Sequence, residues 1–125
     1  MESKLLDALN EAQKKAVTNV SQNCLVVAGA GSGKTRVLTQ RIIWLISQKN
    51  YSPLSILAVT FTNKAANEIK SRLSESLNLN IQNLWVGTFH GICYRILRQH
   101  FLAAKLDKNF QIIDSEDQIR LIKRI

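Results

Sequence analysis

Residues 28–35 read Ala28-Gly29-Ala30-Gly31-Ser32-Gly33-Lys34-Thr35 and stand between an apolar run and an amphipathic segment. The run from Cys24 to Ala28 predicts a buried strand. The segment from Thr35 to Lys49 predicts a helix, with Leu38, Ile42 and Leu45 on one face. Strand, glycine-rich turn and helix in this order are typical of a loop that binds the phosphates of a nucleotide. We call residues 28–35 the glycine loop.

The glycine loop offers the groups that a phosphate needs. Gly29, Gly31 and Gly33 let the backbone turn around a phosphate with its N–H groups inward, where a side chain would obstruct the approach. The start of the following helix adds partial positive charge. Lys34 is expected to reach the β and γ phosphates, and the Thr35 hydroxyl is expected to bind Mg²⁺. These two residues are the candidate catalytic residues.

The glycine loop departs from the usual pattern G-x-x-x-x-G-K-[ST] at one position, because Ala28 stands where the pattern begins with glycine. Alanine still permits a strand to pass into a loop at ordinary backbone angles. The alternative interpretation is a glycine-rich turn that binds no ligand.

Composition predicts a folded domain with a polyanionic partner. The 125 residues are 46% hydrophobic and carry a net charge of +8, from 17 basic and 9 acidic residues. Seven basic residues stand against three acidic ones up to residue 62, and ten against six after it. Charge spread in this way favours nucleic acid over a membrane surface. Charge that serves only solubility is the alternative.

The cysteines and the N-terminus indicate an intracellular protein. Cys24 and Cys93 fall in a predicted strand and a predicted helix, so we expect small buried residues with reduced thiols. The stretch from Met1 to Ala16 lacks the apolar centre of a secretion signal, and no run is long enough to span a bilayer. We therefore expect a cytoplasmic location and no membrane partner.

Further strands and helices alternate along the chain. Asn10 is expected to cap a helix over Glu11 to Thr18, and Ile56 to Thr60 predicts a second strand. Asn63 is expected to cap a helix through Leu77. The apolar stripe of that helix is Ala66, Ile69, Leu73 and Leu77.

The later part of the chain repeats this order. Leu84 to Gly87 predicts a third strand, and a helix with Ile92, Ile96, Leu97 and Phe101 follows. Asp114 is expected to cap a last helix over Ser115 to Ile125, which has no stop signal. Strands that alternate with helices predict an α/β fold with a parallel sheet, here incomplete at the C-terminus, and ligands collect at the carboxyl ends of such strands.

Three motifs follow the three predicted strands: the glycine loop, Thr60 to Ala66, and Gly87 to Gly91. Together with Leu9 to Gln13, they resemble superfamily 1 DNA helicases of the UvrD, Rep and PcrA type, and the UvrD branch most. Residues 9–13 look like the Q motif of that family, 28–35 like motif I, 60–66 like motif Ia and 88–91 like motif Ib. Alanine at position 28 is usual there.

The resemblance implies a P-loop NTPase fold of the RecA-like type. Residues 1–101 would be the N-terminal part of the first motor domain, and 102–125 the start of an inserted helical subdomain. Gln13 would hydrogen-bond adenine and Arg36 would stack on it. The implied ATP-binding residues are Gln13, Ala28, Gly29, Ala30, Gly31, Ser32, Gly33, Lys34, Thr35 and Arg36, with Thr35 on Mg²⁺. The implied DNA-binding residues are Phe61, Thr62, Asn63, Thr88, Phe89 and His90.

By the same resemblance, the parent protein is an ATP-dependent 3′-to-5′ DNA helicase that translocates on single-stranded DNA and unwinds duplex junctions in repair and replication. Its metal-binding Asp-Glu pair and the arginines of a second motor domain are not found in this sequence. We therefore expect the chain to bind nucleotide without unwinding DNA, and to need the remainder of the helicase chain as partner. Ile119, Ile122 and Ile125 give the last helix an apolar face through which copies could associate.

Alternatives remain open for the whole chain and for single residues. The chain could be a standalone nucleic-acid-binding module switched by nucleotide, or a P-loop kinase for a small substrate. Taken singly, Phe61 and Phe89 read as core aromatics and His90 as a turn or cap residue. Gln13 alone reads as a solvated helix residue, and Arg36 alone as a residue that complements a helix surface.

Overall fold

The computed structural model describes residues 5–21, 23–78, 80 and 84–125. Helices and strands alternate through most of this part of the chain and include a small parallel sheet, which is compatible with the predicted α/β fold. The elements in order are α1 (Glu11–Thr18), α2 (Lys34–Lys49), a 3-10 turn (Pro53–Ser55), β1 (Leu57–Thr60), α3 (Asn63–Leu77), β2 (Trp85–Thr88), α4 (Phe89–Gln99) and α5 (Ser115–Ile122).

The described sheet has two parallel strands. Leu57 of β1 pairs with Trp85 of β2, and Thr60 pairs with Thr88. Parallel neighbours need a crossover, and α3 supplies it, because this helix lies between β1 and β2 in the chain and packs on both. The two carboxyl ends therefore lie side by side, and the residues after Thr60 and Thr88 meet at one edge of the sheet.

The core lies between α2, α3 and the sheet. Its buried side chains are Ile42, Ile43, Ala58, Ile69, Leu73, Leu84 and Val86. Ile69 and Leu73 are fully enclosed because α3 turns its apolar stripe toward both strands. A side chain of this size stabilises the fold by about 1.5–3 kcal/mol when buried. The stripe predicted for α3 is confirmed, with Leu77 partly buried at its end.

A second cluster joins α1 to α2. Leu9, Val17 and Trp44 are buried together. Trp44 is buried in this cluster and is therefore a packing residue.

The helix α1 begins where predicted, because the Asn10 side chain accepts a hydrogen bond from the backbone N–H of Gln13. The capping predicted for Asp114 is also confirmed, since its side chain accepts from the N–H of Asp117.

The strand predicted over Cys24 to Ala28 is wrong. Residues 23–29 lie in neither a strand nor a helix, and Leu25 and Val27 are 87% and 86% exposed. A strand persists only where its N–H and C=O groups pair with a neighbour. Within the described residues, the sheet consists of β1 and β2 alone, and neither pairs with this segment.

The burial predicted for both cysteines is also wrong, because Cys24 and Cys93 are exposed and unbridged. Cys24 lies in the unpaired segment just described. Cys93 follows the buried Ile92 on α4, and consecutive helix residues point about 100° apart. A buried residue, Ile92, can therefore be followed directly by an exposed one, Cys93.

Two smaller predictions also fail. Leu38 is exposed, since the face of α2 that carries it borders the unpaired segment at Val26 and Val27. The cap of α3 is Thr62, whose hydroxyl accepts from the N–H of Ala65 at 3.2 Å, so Asn63 is the first helical residue.

Contacts divide the chain into one compact unit through Ile92 and another from Cys93 to Ile125. In the second unit the Arg98 guanidinium lies 5.5 Å from the Tyr94 ring centre and donates to the Lys108 carbonyl. The boundary predicted after residue 101 stays a prediction. None of the described helices combines the length and apolarity that crossing a bilayer requires.

Candidate functional site

The glycine loop turns sharply before α2. Gly31 and Gly33 have φ angles of 74° and 82°, which residues that carry a side chain rarely adopt. A Cβ on Gly31 would meet nothing within 4 Å, so this part of the loop borders open space. Glycine at both positions is therefore required by the shape of the backbone, and at Gly31 it also leaves room for a ligand to approach.

Lys34 folds back over the glycine loop. Its Nζ donates to the carbonyls of Ala28 and Gly29, at 3.1 and 2.8 Å. The Ser32 hydroxyl donates to the same Gly29 carbonyl at 2.7 Å. The loop thus holds a positive charge against its own first two carbonyls.

The start of α2 lacks a side-chain cap. Gly33 offers no side chain to accept from the helix, and the first turn contains no acidic residue. The first N–H groups of a helix have no partner within it and carry partial positive charge. An anion with several oxygens would complement this helix end.

A cavity of about 430 Å³ opens at the helix end. Lys34, Thr35 and Arg36 line it from α2, and Glu68 and Arg72 line it from α3. The Arg72 guanidinium contacts the Glu68 carboxylate at 2.6 Å. Arg72 adds a third cationic side chain to the cavity wall, and Glu68 holds it in place.

The sequence motifs do not identify Arg72 and Glu68 as site residues. The four-residue spacing between them predicts an ion pair along a helix. It does not show that α3 packs against α2 and so brings the pair to the glycine loop.

Gln13 is hydrogen-bonded at both ends of its amide. Its Nε2 donates to the Ser32 carbonyl at 3.0 Å, and its Oε1 accepts from the Asn10 N–H at 3.0 Å. A Cβ on Gly33 would stand 3.0 Å from Nε2, so glycine at this position lets α1 approach. The structure therefore brings Gln13 to the glycine loop.

A second cavity, of about 490 Å³, lies between α1, α2 and the unpaired segment. Gln13, Ala28, Ser32 and Lys34 line it, and Arg41 lies among its walls. Eight of the ten predicted nucleotide residues therefore line one of these two cavities, and Lys34 lines both; Gly29 and Ala30 line neither.

The predicted DNA residues meet at the carboxyl edge of the sheet. Phe61 and Phe89 contact each other, with ring centres 5.2 Å apart and planes inclined at 51°. They are 90% and 50% exposed, so the interpretation of either ring as a core residue is wrong. Two exposed aromatic rings in contact form a platform on which a flat apolar ligand could stack.

The polar residues beside this platform are partly engaged in capping. The Thr62 hydroxyl accepts from Ala65, and the Thr88 hydroxyl accepts from the Gly91 N–H at 3.2 Å. Each hydroxyl keeps its own proton to donate. Asn63 and His90 are exposed in the first turns of α3 and α4.

The donor set fits a nucleoside triphosphate, since lysine, two arginines and an uncapped helix end surround the glycine loop. A divalent cation would find the Thr35 hydroxyl there. Among the described residues, no cluster of three His, Cys, Asp or Glu side chains could hold such an ion by itself. Magnesium commonly takes its other ligands from phosphates and water, which is compatible with a single protein oxygen.

A family model described as the UvrD/REP helicase N-terminal domain matches residues 9–125. This chain belongs to the UvrD/REP helicase family. The membership confirms the resemblance on which the sequence analysis relied.

Named relatives in this family cover almost the whole chain. It is 56% identical to DNA helicase II of Escherichia coli over 123 residues, which are 98% of this chain and 17% of that protein. It is 55% identical to DNA helicase II of Haemophilus influenzae over 127 residues, 98% of this chain and 18% of that protein. ATP-dependent DNA helicase PcrA of Bacillus subtilis is 46% identical over 123 residues, 98% of this chain and 17% of that protein. The chain thus spans less than a fifth of the length of these UvrD/REP relatives.

Proposed function

We propose that this chain is the N-terminal ATP-binding part of an ATP-dependent 3′-to-5′ DNA helicase that acts in repair and replication. The observation that carries the proposal is Lys34, whose ammonium lies over the glycine loop at an uncapped helix start. Relatives that match almost the whole chain are named DNA helicase II and ATP-dependent DNA helicase PcrA. Because bacterial DNA lies in the cytoplasm, the proposal includes that location.

Phosphate binding is the first step in the proposed mechanism. The backbone N–H groups of the glycine loop and of the first turn of α2 donate to phosphate oxygens. The Lys34 ammonium breaks its hydrogen bonds to the carbonyls of Ala28 and Gly29 and contacts the β and γ phosphates instead. Arg72 approaches the same oxygens from α3, across the cavity that both residues line.

The Thr35 hydroxyl is the residue that would hold Mg²⁺. When bound, this ion neutralises charge on the phosphate oxygens and fixes their orientation. Lys34 and Thr35 act there as catalytic residues, because phosphoryl transfer depends on positioning and on charge stabilisation.

Adenine recognition is assigned to Gln13 and Arg36. The amide of Gln13 has an oxygen that can accept from the amino group of adenine and an N–H that can donate to a ring nitrogen. To present them, Gln13 gives up its bonds to Asn10 and Ser32. Arg36 is exposed at the same helix end, where its planar guanidinium is free to stack on the base.

Single-stranded DNA is assigned to the platform of Phe61 and Phe89. Base stacking on an aromatic side chain is worth about 1–3 kcal/mol and tolerates every base. The hydroxyls of Thr62 and Thr88 and the side chains of Asn63 and His90 would contact phosphates beside it. Duplex junctions would be engaged by the complete helicase.

The proposal assigns turnover and unwinding to the complete protein. The fold would be a RecA-like P-loop fold that is completed by the remainder of the helicase chain. Near the glycine loop, the carboxylate found in the cavity wall is Glu68, and Arg72 already pairs with it. A loop without a catalytic carboxylate and an arginine finger turns over negligibly.

The test is a nucleotide titration together with an ATPase assay. A fluorescent ATP analogue is titrated into the chain and into Lys34→Ala, and hydrolysis is measured with and without single-stranded DNA. We expect binding that Lys34→Ala weakens at least about tenfold, because a charge-assisted contact is lost, with no turnover in either sample.

Two outcomes would contradict the proposal. If the chain and Lys34→Ala bound the ATP analogue equally well, the nucleotide would not bind at the glycine loop. DNA-stimulated hydrolysis that depends on Lys34 would mean that this chain already contains its catalytic carboxylate, against the division of labour proposed here.

A further inference from the structure

Arg41 makes an unusual set of contacts between α2 and α1. Its Nη1 lies within hydrogen-bond distance of three backbone carbonyls, those of Ala16, Val17 and Asn19, at 3.2, 2.9 and 2.9 Å. These carbonyls belong to the C-terminal end of α1 and the residue that follows it. A single guanidinium therefore binds several carbonyls at the end of this helix.

The end of α1 needs such a partner. Asn19, which closes the helix, has φ −60° and ψ 126° instead of the left-handed backbone that commonly closes helices. The last carbonyls of a helix lack partners within it and carry partial negative charge. Arg41 supplies donors and a permanent positive charge, and its side chain is half-buried.

The other end of α1 is attached to the glycine loop through Gln13, whose Nε2 donates to the Ser32 carbonyl. Gln13 lies about 6 Å along the helix axis from Val17. Arg41 lies about two turns along α2 from Lys34, and it shares a cavity wall with Gln13, Ser32 and Lys34. Arg41 therefore fixes the far end of the helix that places Gln13.

Apolar packing alone leaves this placement loose. Leu9, Val17 and Trp44 hold α1 against α2, but dispersion and the hydrophobic effect have little directional preference. A shift of about 1 Å would take the Gln13 amide out of hydrogen-bond range of a base. Arg41 supplies directional contacts that oppose such a shift, and these contacts remain when Gln13 exchanges its bond to Ser32 for one to a base.

We propose that Arg41 is a positioning residue for nucleobase selectivity: it holds α1 so that Gln13 stands at the height of adenine above the glycine loop. The proposal rests on the function proposed above. It separates two properties of the site, because phosphate binding depends on the glycine loop and adenine preference depends on the Arg41 contacts.

The test compares ligands that share phosphates but differ in base. Dissociation constants for ATP, GTP and tripolyphosphate are measured on the chain, on Arg41→Met and on Arg41→Lys. Lys70→Met, which removes the same charge from α3, is the control. For Arg41→Met we expect ATP to bind about tenfold more weakly, and GTP and tripolyphosphate to change by less than about twofold.

The Arg41→Lys variant should retain part of the ATP preference, because it keeps the charge at the helix end. It also carries the test if Arg41→Met fails to fold, which circular dichroism reports. In a Gln13→Ala background, the Arg41 substitutions should cause no further loss of preference.

Equal weakening of all three ligands, or an unchanged ATP-to-GTP ratio in the folded variants, would overturn the assignment. Failure of the proposed function has a different signature, because the unsubstituted chain and Lys34→Ala would then bind ATP alike.

Discussion

The Arg72 guanidinium contacts the Glu68 carboxylate at 2.6 Å, and in the proposed site it would instead bind a phosphate in the cavity that both residues line. Glu68→Gln should therefore strengthen ATP binding, because Arg72 is released and a negative charge leaves the cavity wall. Exposed ion pairs are worth about 0.2–1 kcal/mol, so we expect titration to show an increase in affinity of about 1.4- to fivefold. Glu75→Gln, the same change farther along α3, should have no effect, and equal effects would refute the competition.

Phe61 lies on the surface with 90% of its area exposed, so its removal should leave the folded state intact. Phe61→Ala should weaken binding of a short single-stranded oligonucleotide by about 1–3 kcal/mol, because one stacking surface is lost. Fluorescence anisotropy measures the affinity. Tyr51→Ala removes another exposed ring of the same unit as a control. A loss of similar size in both variants would contradict the platform.

At the scale of elements, residues 23–29 differ from β1 in what holds them. Backbone groups of β1 are bonded to β2, whereas no described strand pairs with the segment before the glycine loop. Amide hydrogen exchange should therefore be faster at Leu25 to Val27 than at Ile69 and Leu73 in α3, on the order of a hundredfold or more. Protection of Leu25 to Val27 equal to that of α3 would mean that this segment is paired in solution.

At the scale of the whole molecule, apolar surface favours association and net charge opposes it. Ile119 and Ile122 of α5 are exposed, while the chain carries +8. Salt screens charge repulsion, with a Debye length that falls from about 10 Å at 0.1 M to about 3 Å at 1 M. We expect copies to associate as salt rises, as measured by sedimentation velocity.

Ile122→Asp should abolish this association, whereas Leu102→Asp, at another exposed apolar position, should not. Sedimentation as a monomer at every salt concentration would remove the self-association prediction.

Local patterns predicted the helices well. The Asn10 cap and the stripe of Ala66, Ile69 and Leu73 each depend on residues a few positions apart, so the sequence contains the information. The parallel pairing of β1 and β2 also followed from the helix between them. The exposed state of Leu25 did not, because an apolar run indicates a strand without revealing whether a partner strand is present.

The candidate site was predictable in its residue types but less so in its connections. The glycine loop, Lys34 and the two Phe residues of the platform follow from motifs. Arg41 does not, because its hydrogen bonds reach carbonyls 22 to 25 residues earlier in the sequence. Arg72 does not, because only the packing of α3 against α2 brings it to the cavity beside the glycine loop. The bond from Gln13 to the Ser32 carbonyl was not predictable either, because it joins residues 19 positions apart and uses the amide that the motif assigns to adenine.

The contacts of Lys34 within the glycine loop bear on the release of nucleotide as well as on its binding. With its ammonium against the carbonyls of Ala28 and Gly29, the protein already contains a substitute for part of its ligand. In the proposed site, a phosphate that binds would exchange one set of oxygens for another around the Lys34 nitrogen, and its release would restore the first set. Such an exchange would reduce the enthalpy difference between the nucleotide-bound and the nucleotide-free site. The proposed motor could therefore release its spent nucleotide without leaving the Lys34 ammonium unpaired.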